Sequence, residues 1–144
     1  MEQIQHINVR ELLPQQGTFV MIDKLEHLDE KTVISCTTVK SDNIFVSGKI
    51  FSESGIIENI AQTAAARIGY VCRYILKDSI KLGFIGEIKN FVLNRCPQVG
   101  EKIITSIEIV NEIYSTLLLR AEVKTSEELL ASCNMKVFIT DVNS

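Results

Sequence analysis

The sequence lacks the features that mark several classes of protein. It has no run of lysine or arginine and a net charge of −3, so we expect neither a nucleic-acid-binding nor an anionic-membrane-binding surface. No apolar stretch reaches the roughly 18 residues that a membrane-spanning helix needs. The N-terminal stretch MEQIQHINVREL carries charges without an apolar core, which argues against a signal peptide and predicts a cytoplasmic protein.

Cysteine is also sparse, and its spacing excludes two further classes. The four cysteines, Cys36, Cys72, Cys96 and Cys133, are far apart and form no C-x-x-C pair. This is neither a zinc-binding pattern nor a dense disulfide framework. We therefore expect no metal and no redox cofactor, and we predict that Cys72 and Cys133 are buried as small hydrophobic residues.

What is present is the composition of an ordinary globular chain. Of its 144 residues, 46% are hydrophobic and 23% are charged, which is typical of a protein with one sizeable core. No low-complexity segment, internal repeat or linker divides the sequence. We predict a single domain over residues 1–144.

Six segments have the composition or the period-two alternation of strands. Two of them flank a polar turn and predict a hairpin: TFVMIDKLEHLD and KTVISCTTVK. Four more lie in the second half of the chain: KLGFIGEIKNFVLN, EKIITSIEIVNEIY, TLLLRAEVKT and ELLASCNMKVFIT. Strict alternation in the last two predicts one buried and one solvated face, as in an antiparallel meander. Two methionines and four phenylalanines are predicted to be core residues, with lining of an acyl tunnel as the alternative for some of them: Met21, Met135, Phe19, Phe84, Phe91 and Phe138.

A long helix is predicted over residues 54–76, with Ser52 or Ser54 as its N-cap. Apolar residues recur along it at helical spacing, and several are small: Ala61, Ala64, Ala65, Ala66 and Gly69. Because Gly69 lowers helix propensity, we interpret the small residues as a surface for close packing against an enclosing sheet.

The same helix contains one glutamate that raises a functional question. Glu58 lies among the apolar residues, and Gln62 follows one turn later on the same side. A charge in this position is either turned out to solvent or kept for chemistry.

Three stretches carry a resemblance to a known family. LLPQQGTFVMIDKL is similar to L-L-P-H-R-x-P-F-L-L-V-D-R-V, and GKIFSESGIIENIAQTAA is similar to G-K-P-I-F-P-G-V-L-x-x-E-A-x-A-Q-A-A. FIGEIKNFVLNRCPQVGEKI is similar to F-A-G-I-D-K-A-R-F-x-R-x-V-x-P-G-D-x-L. Over residues 12–139 the chain thus resembles the β-hydroxyacyl-(acyl carrier protein) dehydratases and their relatives in polyene and pigment lipid pathways. The resemblance implies an α+β hotdog fold, a curved antiparallel sheet of about six strands wrapped around one long central helix.

The resemblance also implies chemistry on acyl thioesters of acyl carrier protein or coenzyme A. In the family, a histidine removes the proton beside the thioester carbonyl, and a carboxylic acid on the central helix protonates the leaving hydroxyl. Glu58 falls on that acid and Gln62 on the glutamine that follows it. Ser54 and Gly55 fall near the helix end whose amides polarise the thioester oxygen. Gly86 either lets a substrate or a neighbouring backbone approach its strand, or marks a β-bulge.

The family's histidine is missing from this chain. It opens the motif H-F-P-G-K, which reads F-V-S-G-K here, so Phe45 (or Ile44, for another placement of the gap) takes its position and would line the substrate pocket. The only histidines, His6 and His27, are predicted to be solvated. Gln15 replaces a second histidine, in the family's opening motif. Because general-base help is worth roughly 10²–10⁴-fold, we expect dehydration by this chain alone to be badly impaired.

Four interpretations of Glu58 stay open at this point. The leading one is a dehydratase-like subunit with a degenerate site that a histidine-bearing hotdog partner completes. The second is a thioesterase in which Glu58 activates water or attacks the carbonyl. The third is a non-catalytic subunit that binds an acyl thioester or its carrier protein, and the fourth is simple helix stabilisation, worth about 0.3–1 kcal/mol. Long strands need edge protection, so we expect at least a homodimer or a heterodimer with another hotdog subunit.

Overall fold

The chain forms one long helix packed against a curved antiparallel sheet of six strands. The computed structural model describes residues 2–15, 17–77 and 81–141. The helix is α1 (Glu53–Tyr70), and the strands are β1 (Lys24–Leu28), β2 (Thr32–Thr38), β3 (Val46–Ser47), β4 (Ile50–Phe51), β5 (Lys81–Leu93), β6 (Lys102–Ile113), β7 (Thr116–Lys124) and β8 (Leu129–Asp141). The main sheet has the order β1-β2-β6-β7-β8-β5, and β3 and β4 form a separate small hairpin. The predicted hotdog architecture is confirmed, whereas the β3–β4 hairpin was not predicted.

Helix α1 begins and ends close to its predicted bounds. The Ser52 hydroxyl accepts a hydrogen bond from the Gly55 amide at 3.3 Å, so Ser52 and not Ser54 is the N-cap. After Tyr70 a single π-helical turn, Val71–Ile75, continues the helix. Neither α1 nor another helix within the described ranges is long and apolar enough to cross a membrane.

The core lies between α1 and the inner face of the sheet. Alternate residues of β7 and β8 are buried there: Leu117, Leu119, Ala121, Val123, Ala131, Cys133, Met135 and Val137. The period-two prediction for these strands is therefore confirmed, and Cys72 and Met21 are buried as well. Removal of this apolar surface from water is the main term that holds the sheet on the helix.

A segment without strand structure runs along α1, and we call it the strap (residues 12–15 and 17–21). At its start a Cβ added to Gly69 would lie 2.0 Å from the Leu12 carbonyl oxygen, so only glycine allows this approach. Close packing at Gly69 is confirmed, but the neighbour is the strap and not the sheet. The predicted first strand was placed too early, because Gly17–Phe19 is a 3-10 helix and β1 begins at Lys24.

Three of the four phenylalanines predicted for the core are exposed. Phe19, Phe84 and Phe138 are 61%, 53% and 46% accessible, which corrects the prediction, while Phe91 is half-buried against the core. The Phe138 ring covers Gly86, since a Cβ there would lie 2.2 Å from it. The β5–β8 register also shifts at this point, so Gly86 marks a β-bulge, which is one of its two predicted explanations.

Candidate active site

Glu58 is half-buried on α1, and Gln62 holds one of its carboxyl oxygens. The Gln62 Nε2 donates a hydrogen bond to Glu58 Oε1 at 3.0 Å, as expected for side chains one helical turn apart. The other oxygen, Glu58 Oε2, makes no hydrogen bond with any described residue. The carboxyl group thus has one fixed oxygen and one that remains unpaired.

Gln62 is itself buried and uses its amide fully. Its Oε1 accepts a hydrogen bond from the Met21 amide at 2.7 Å, and its Nε2 donates to the Phe19 carbonyl at 2.7 Å in addition to Glu58. A glutamine amide has two N–H donors, and both are occupied. Because three bonds set its position, Gln62 links the orientation of Glu58 to the strap.

Asn59, next to Glu58 in the sequence, is a structural residue that sequence reasoning missed. It is fully buried, and its Nδ2 donates to the Met21 carbonyl at 2.8 Å and to the Thr37 hydroxyl at 3.2 Å. Its Oδ1 accepts from the Thr105 hydroxyl. These bonds tie α1 to β2, β6 and the strap. The available signal was an amide within an otherwise apolar helical run.

A cleft of about 280 Å³ opens beside Glu58. The strap, α1 and β5 each contribute lining residues: Pro14, Gln15, Glu58, Ala61, Ala65, Leu82, Gly83, Phe84 and Ile85. Glu58 and Gln15 are the two polar side chains among them. A larger depression of about 340 Å³ lies on the outer face of the sheet, and none of the predicted site residues lines it.

Neither histidine lines this cleft. His27 is exposed on β1, where its Nε2 lies 2.7 Å from Asp29 Oδ2, and His6 is exposed at the end of the 3-10 helix Glu2–His6. The predicted surface location of both histidines is confirmed. The cleft that this chain forms by itself therefore contains a carboxyl group and no imidazole.

Phe45 and Gly55 lie together, but they do not line the cleft. A Cβ on Gly55 would lie 2.6 Å from the Phe51 ring and 2.8 Å from the Phe45 Cβ, so glycine is required where these side chains pack. The Gly55 amide already bonds the N-cap hydroxyl, and Ser54 is exposed. The substrate-binding roles of Phe45, Ser54, Gly55 and Gly86 stay predictions.

The cleft borders an edge of the sheet. In the described sheet β5 is the last strand and pairs only with β8, and its residues 82–85 line the cleft. Phe84, Ile85 and Val92 on this strand are 53%, 38% and 52% exposed. A long edge strand with exposed apolar side chains is a surface for pairing with another chain.

The strongest pKa shifts lie away from the cleft. Hydrogen bonding to Arg95 lowers the pKa of Glu101 to about 2, and hydrogen bonding to His27 lowers the pKa of Asp29 to about 2. Burial raises the pKa of the Cys133 thiol to about 11, so this thiol stays protonated and unreactive. These groups stabilise turns or fill the core.

Glu58 is the group in the cleft that can exchange a proton with a bound molecule. Its Oε2 is unpaired, and the surrounding side chains are mostly apolar, which suits an acyl chain. Among the described residues no cluster of histidine, cysteine and acidic side chains could hold a metal ion. The arrangement can serve as a general acid, or as a carboxylate base toward water.

Comparison with known proteins shows the family and the fold. The sequence profile of the ApeP-like family, described as ApeP dehydratase, matches residues 7–144. A solved structure titled "The Dehydratase Heterocomplex ApeI:P from Xenorhabdus doucetiae" contains a similar chain, with a TM-score of 0.82 and 15% identity over 95% of this chain and 93% of that chain. A search of curated proteins found no match.

Two structures with bound coenzyme A share the fold at lower TM-scores. A hypothetical thioesterase from Streptococcus pneumoniae TIGR4 has a TM-score of 0.64 and 10% identity over 82% of this chain and 85% of that chain. The protein smu.793 from Streptococcus mutans UA159, bound to acetyl CoA, has a TM-score of 0.65 and 13% identity over 90% of this chain and 96% of that chain. At such identities the similarity shows the common fold alone.

Proposed function

This chain belongs to the ApeP-like dehydratase family, and we propose that it is the acid-bearing subunit of a two-chain hotdog dehydratase. One observation carries the proposal: Gln62 orients Glu58 in a cleft that contains no histidine and lies beside an exposed strand edge. The substrate in this proposal is a 3-hydroxyacyl thioester of acyl carrier protein or coenzyme A.

The proposed reaction divides its two proton transfers between the subunits. The partner's imidazole takes the proton from the carbon beside the thioester carbonyl, and the electron pair of that C–H bond becomes the new carbon–carbon double bond. Glu58 gives its proton to the 3-hydroxyl, the carbon–oxygen bond breaks, and water leaves. Proton transfer from the imidazolium to the carboxylate then restores both groups.

The hydrogen bonds around Glu58 suit the role of the acid. Gln62 donates to Oε1, which leaves Oε2 to carry the proton. After the transfer, the same N–H bond stabilises the carboxylate, because hydrogen bonds to charged acceptors are stronger than those to neutral ones. The apolar side chains of Ala61, Ala65 and Leu82 would contact the acyl chain.

The exposed edge of β5 supports a second chain at this cleft. A strand added to β5 would lie next to residues 82–85, which line the cleft, and would bring side chains of the partner over Glu58. In a homodimer the incoming residue at the histidine position would be Phe45. Two copies of this chain would therefore supply an acid without a base, and the proposal requires a histidine-bearing hotdog partner.

The proposal also predicts one working site in each heterodimer. The partner's histidine would meet Glu58, whereas Phe45 of this chain would meet the partner's helix acid. Replacing Glu58 should therefore abolish turnover, and replacing the partner's helix acid should leave most of it.

Mass spectrometry of the acyl thioester tests the proposal. The chain is incubated with a 3-hydroxyacyl thioester, first alone and then together with a hotdog protein from the same genome that carries H-F-P-G-K. We expect loss of water only with both chains present, and no loss when Glu58→Gln replaces the acid. Water loss by this chain alone, or by a Glu58→Gln complex at an undiminished rate, would overturn the proposal.

A second candidate is hydrolysis of an acyl thioester, and the unpaired Oε2 of Glu58 in a histidine-free cleft favours it. A carboxylate can activate water for attack on the thioester carbonyl. The same incubation separates the two: release of free acid by this chain alone, lost in Glu58→Gln, would establish the hydrolase. If neither mixture changes the thioester, both catalytic proposals fall and a binding subunit is what remains.

A further inference from the structure

Gln15 is the second polar side chain of the cleft, and part of its amide lacks a partner. The side chain lines the cleft together with Glu58. Its Oε1 is buried, yet it accepts no hydrogen bond from any residue in the described part of the chain. Buried acceptors in folded proteins are nearly always paired, so an unpaired one on a residue that lines a cleft points to a ligand that brings a donor.

The backbone on both sides of Gln15 is held against α1. Before it, Leu12 is fully buried and its carbonyl oxygen lies against Gly69. After it, the Phe19 carbonyl and the Met21 amide bond the buried Gln62. The strap is thus anchored to α1 at residues before and after Gln15, and the terminal torsion of a glutamine is broad enough for its amide to turn.

The acyl part of the proposed substrate offers one matching donor. A thioester carbonyl only accepts hydrogen bonds, whereas the 3-hydroxyl group has one O–H to donate. This O–H is also the group nearest to the acid in the proposed reaction. From these observations, and on the premise of the proposed function, we propose that Gln15 binds the substrate's 3-hydroxyl through its Oε1 and turns that hydroxyl toward Glu58.

This contact would orient the proton transfer. When Gln15 Oε1 turns from its covered position and accepts the O–H, the lone pairs of the hydroxyl oxygen are free to face Glu58 Oε2. Gln62 fixes the acid from one side, and Gln15 would fix the alcohol from the other. This hydrogen bond would also favour 3-hydroxyacyl thioesters over saturated ones, since a thioester without the 3-hydroxyl leaves the buried Gln15 oxygen unpaired.

Binding measurements on a complex that cannot turn over test the inference. The heterodimer is prepared with Glu58→Gln, and two probes of equal chain length are titrated calorimetrically: a 3-hydroxyacyl-pantetheine thioester and the saturated acyl-pantetheine thioester. With Gln15 present we expect the hydroxylated probe to bind roughly tenfold more tightly, the effect of one buried hydrogen bond. Gln15→Met, of similar length but without the amide, should remove this preference by weakening only the hydroxylated probe.

Gln15→Glu is the matched rescue variant, because a carboxylate keeps the acceptor and loses the donor. Gln15→Glu should retain the preference for the hydroxylated probe. Loss of this preference in the variant would overturn the role of Gln15 as a hydrogen-bond acceptor. Equal binding of both probes when Gln15 is present would also overturn the inference. A parallel assay of the complex with Glu58 intact separates the two proposals: if it releases water while the probes bind equally, only the role of Gln15 is wrong. If it releases none, the proposed function has failed.

Discussion

The two edge strands of the sheet, β1 and β5, differ in their length and in how far the chain covers them. Strand β1 is five residues long, and Gln5 of the N-terminal 3-10 helix donates a hydrogen bond to its Glu26 carbonyl at 3.3 Å. Strand β5 is thirteen residues long, and although it also has register shifts, it exposes the apolar side chains of Phe84, Ile85 and Val92. A short edge strand that its own chain covers opposes pairing with another chain, whereas a long edge strand with exposed apolar side chains favours it. The chain covers its β1 edge itself, and its β5 edge suits a second chain.

The same contrast divides the polar residues around α1. On the side of β2 and β6, Asn59 pairs every polar atom of its amide group with the strap or the sheet. On the side of β5, Glu58 and Gln15 each keep an oxygen without a partner among the described residues. The polar groups on the side of β2 and β6 serve folding, and those on the side of β5 are the ones that we propose a ligand uses.

The largest expected effect is a loss of activity when Glu58, on the β5 side of α1, is replaced. In the complex with a histidine-bearing partner, Glu58→Gln should lower kcat/KM for dehydration by about 10²–10⁴-fold, since general acid help is lost, while the melting temperature stays unchanged. Glu53→Gln makes the same chemical change in the exposed first turn of α1 and is the matched control. Equal losses for both variants would mean that the helix charge matters and the cleft acid does not.

The second prediction concerns the contribution of Asn59, on the β2 and β6 side of α1, to stability. Asn59→Ala should lower the free energy of unfolding by about 3 kcal/mol, because Thr105 and the Met21 carbonyl lose buried hydrogen bonds. Urea denaturation followed by circular dichroism measures this. Asn111→Ala is the control, since Asn111 is exposed and bonds only the next amide. If Asn59→Ala unfolds at the same urea concentration as the control, the network does not hold the helix in place.

The third prediction compares the two edges directly. Val92→Lys places a charge on the exposed β5 edge outside the cleft and should weaken association with the partner by about tenfold. His27→Lys places a charge on β1, and association should not change. Sedimentation velocity over a concentration series measures both. A stronger effect of the β1 variant would move the interface to the other edge of the sheet.

The smallest expected effect lies in the turn after β1. Asp29 accepts hydrogen bonds from the amides of Lys31 and Thr32 at 2.8 Å each, and its pKa is lowered from 3.8 to about 2, chiefly by hydrogen bonding to His27. Because the folded pKa lies below the unfolded one, its stabilisation is complete above about pH 3.8 and is lost as the pH falls toward 2.

Asp29→Asn should therefore lower the melting temperature by a few degrees near neutral pH and should reduce the difference from the parent protein toward pH 2. Melting curves recorded by circular dichroism across this pH range measure the effect. Asp42→Asn, at an exposed carboxylate without an ion pair among the described residues, is the control. A constant difference at every pH would assign the effect to the turn conformation and not to the charge.

Features that depend on local spacing could be predicted from the sequence. The inward-facing residues of β7 and β8 follow from period two, and the pairing of Glu58 with Gln62 follows from the helical repeat. The requirement for glycine at Gly69 was visible as a loss of helix propensity within a long helix. In the first two cases the relevant neighbour is a few residues away, or the pattern repeats often enough to identify a buried face; for Gly69 the need for close packing could be predicted, but its distant neighbour Leu12 could not.

Features that depend on distant neighbours could not be predicted. Residues 18–23 have the composition of a strand, but the backbone of Phe19 and Met21 bonds side chains of α1 instead of a neighbouring strand. Phe84 and Phe138 have the hydrophobicity of core residues, yet this chain alone leaves them exposed. Hydrophobicity indicates that a side chain tends to be buried, but it does not indicate whether its own chain or a partner chain buries it.

The sequence by itself determined the hotdog architecture, the acid on the central helix and the absence of a histidine to act with it. Only the tertiary structure decided that Gln62 also bonds the strap, that Asn59 ties the helix to the sheet on its other side, and that Gln15 lines the cleft and has a buried, unpaired oxygen. The physical reason is the range of the interactions. Periodic burial and helical spacing depend on residues that are close in the sequence, whereas these hydrogen bonds and this cleft exist only where the strap, α1 and the sheet meet.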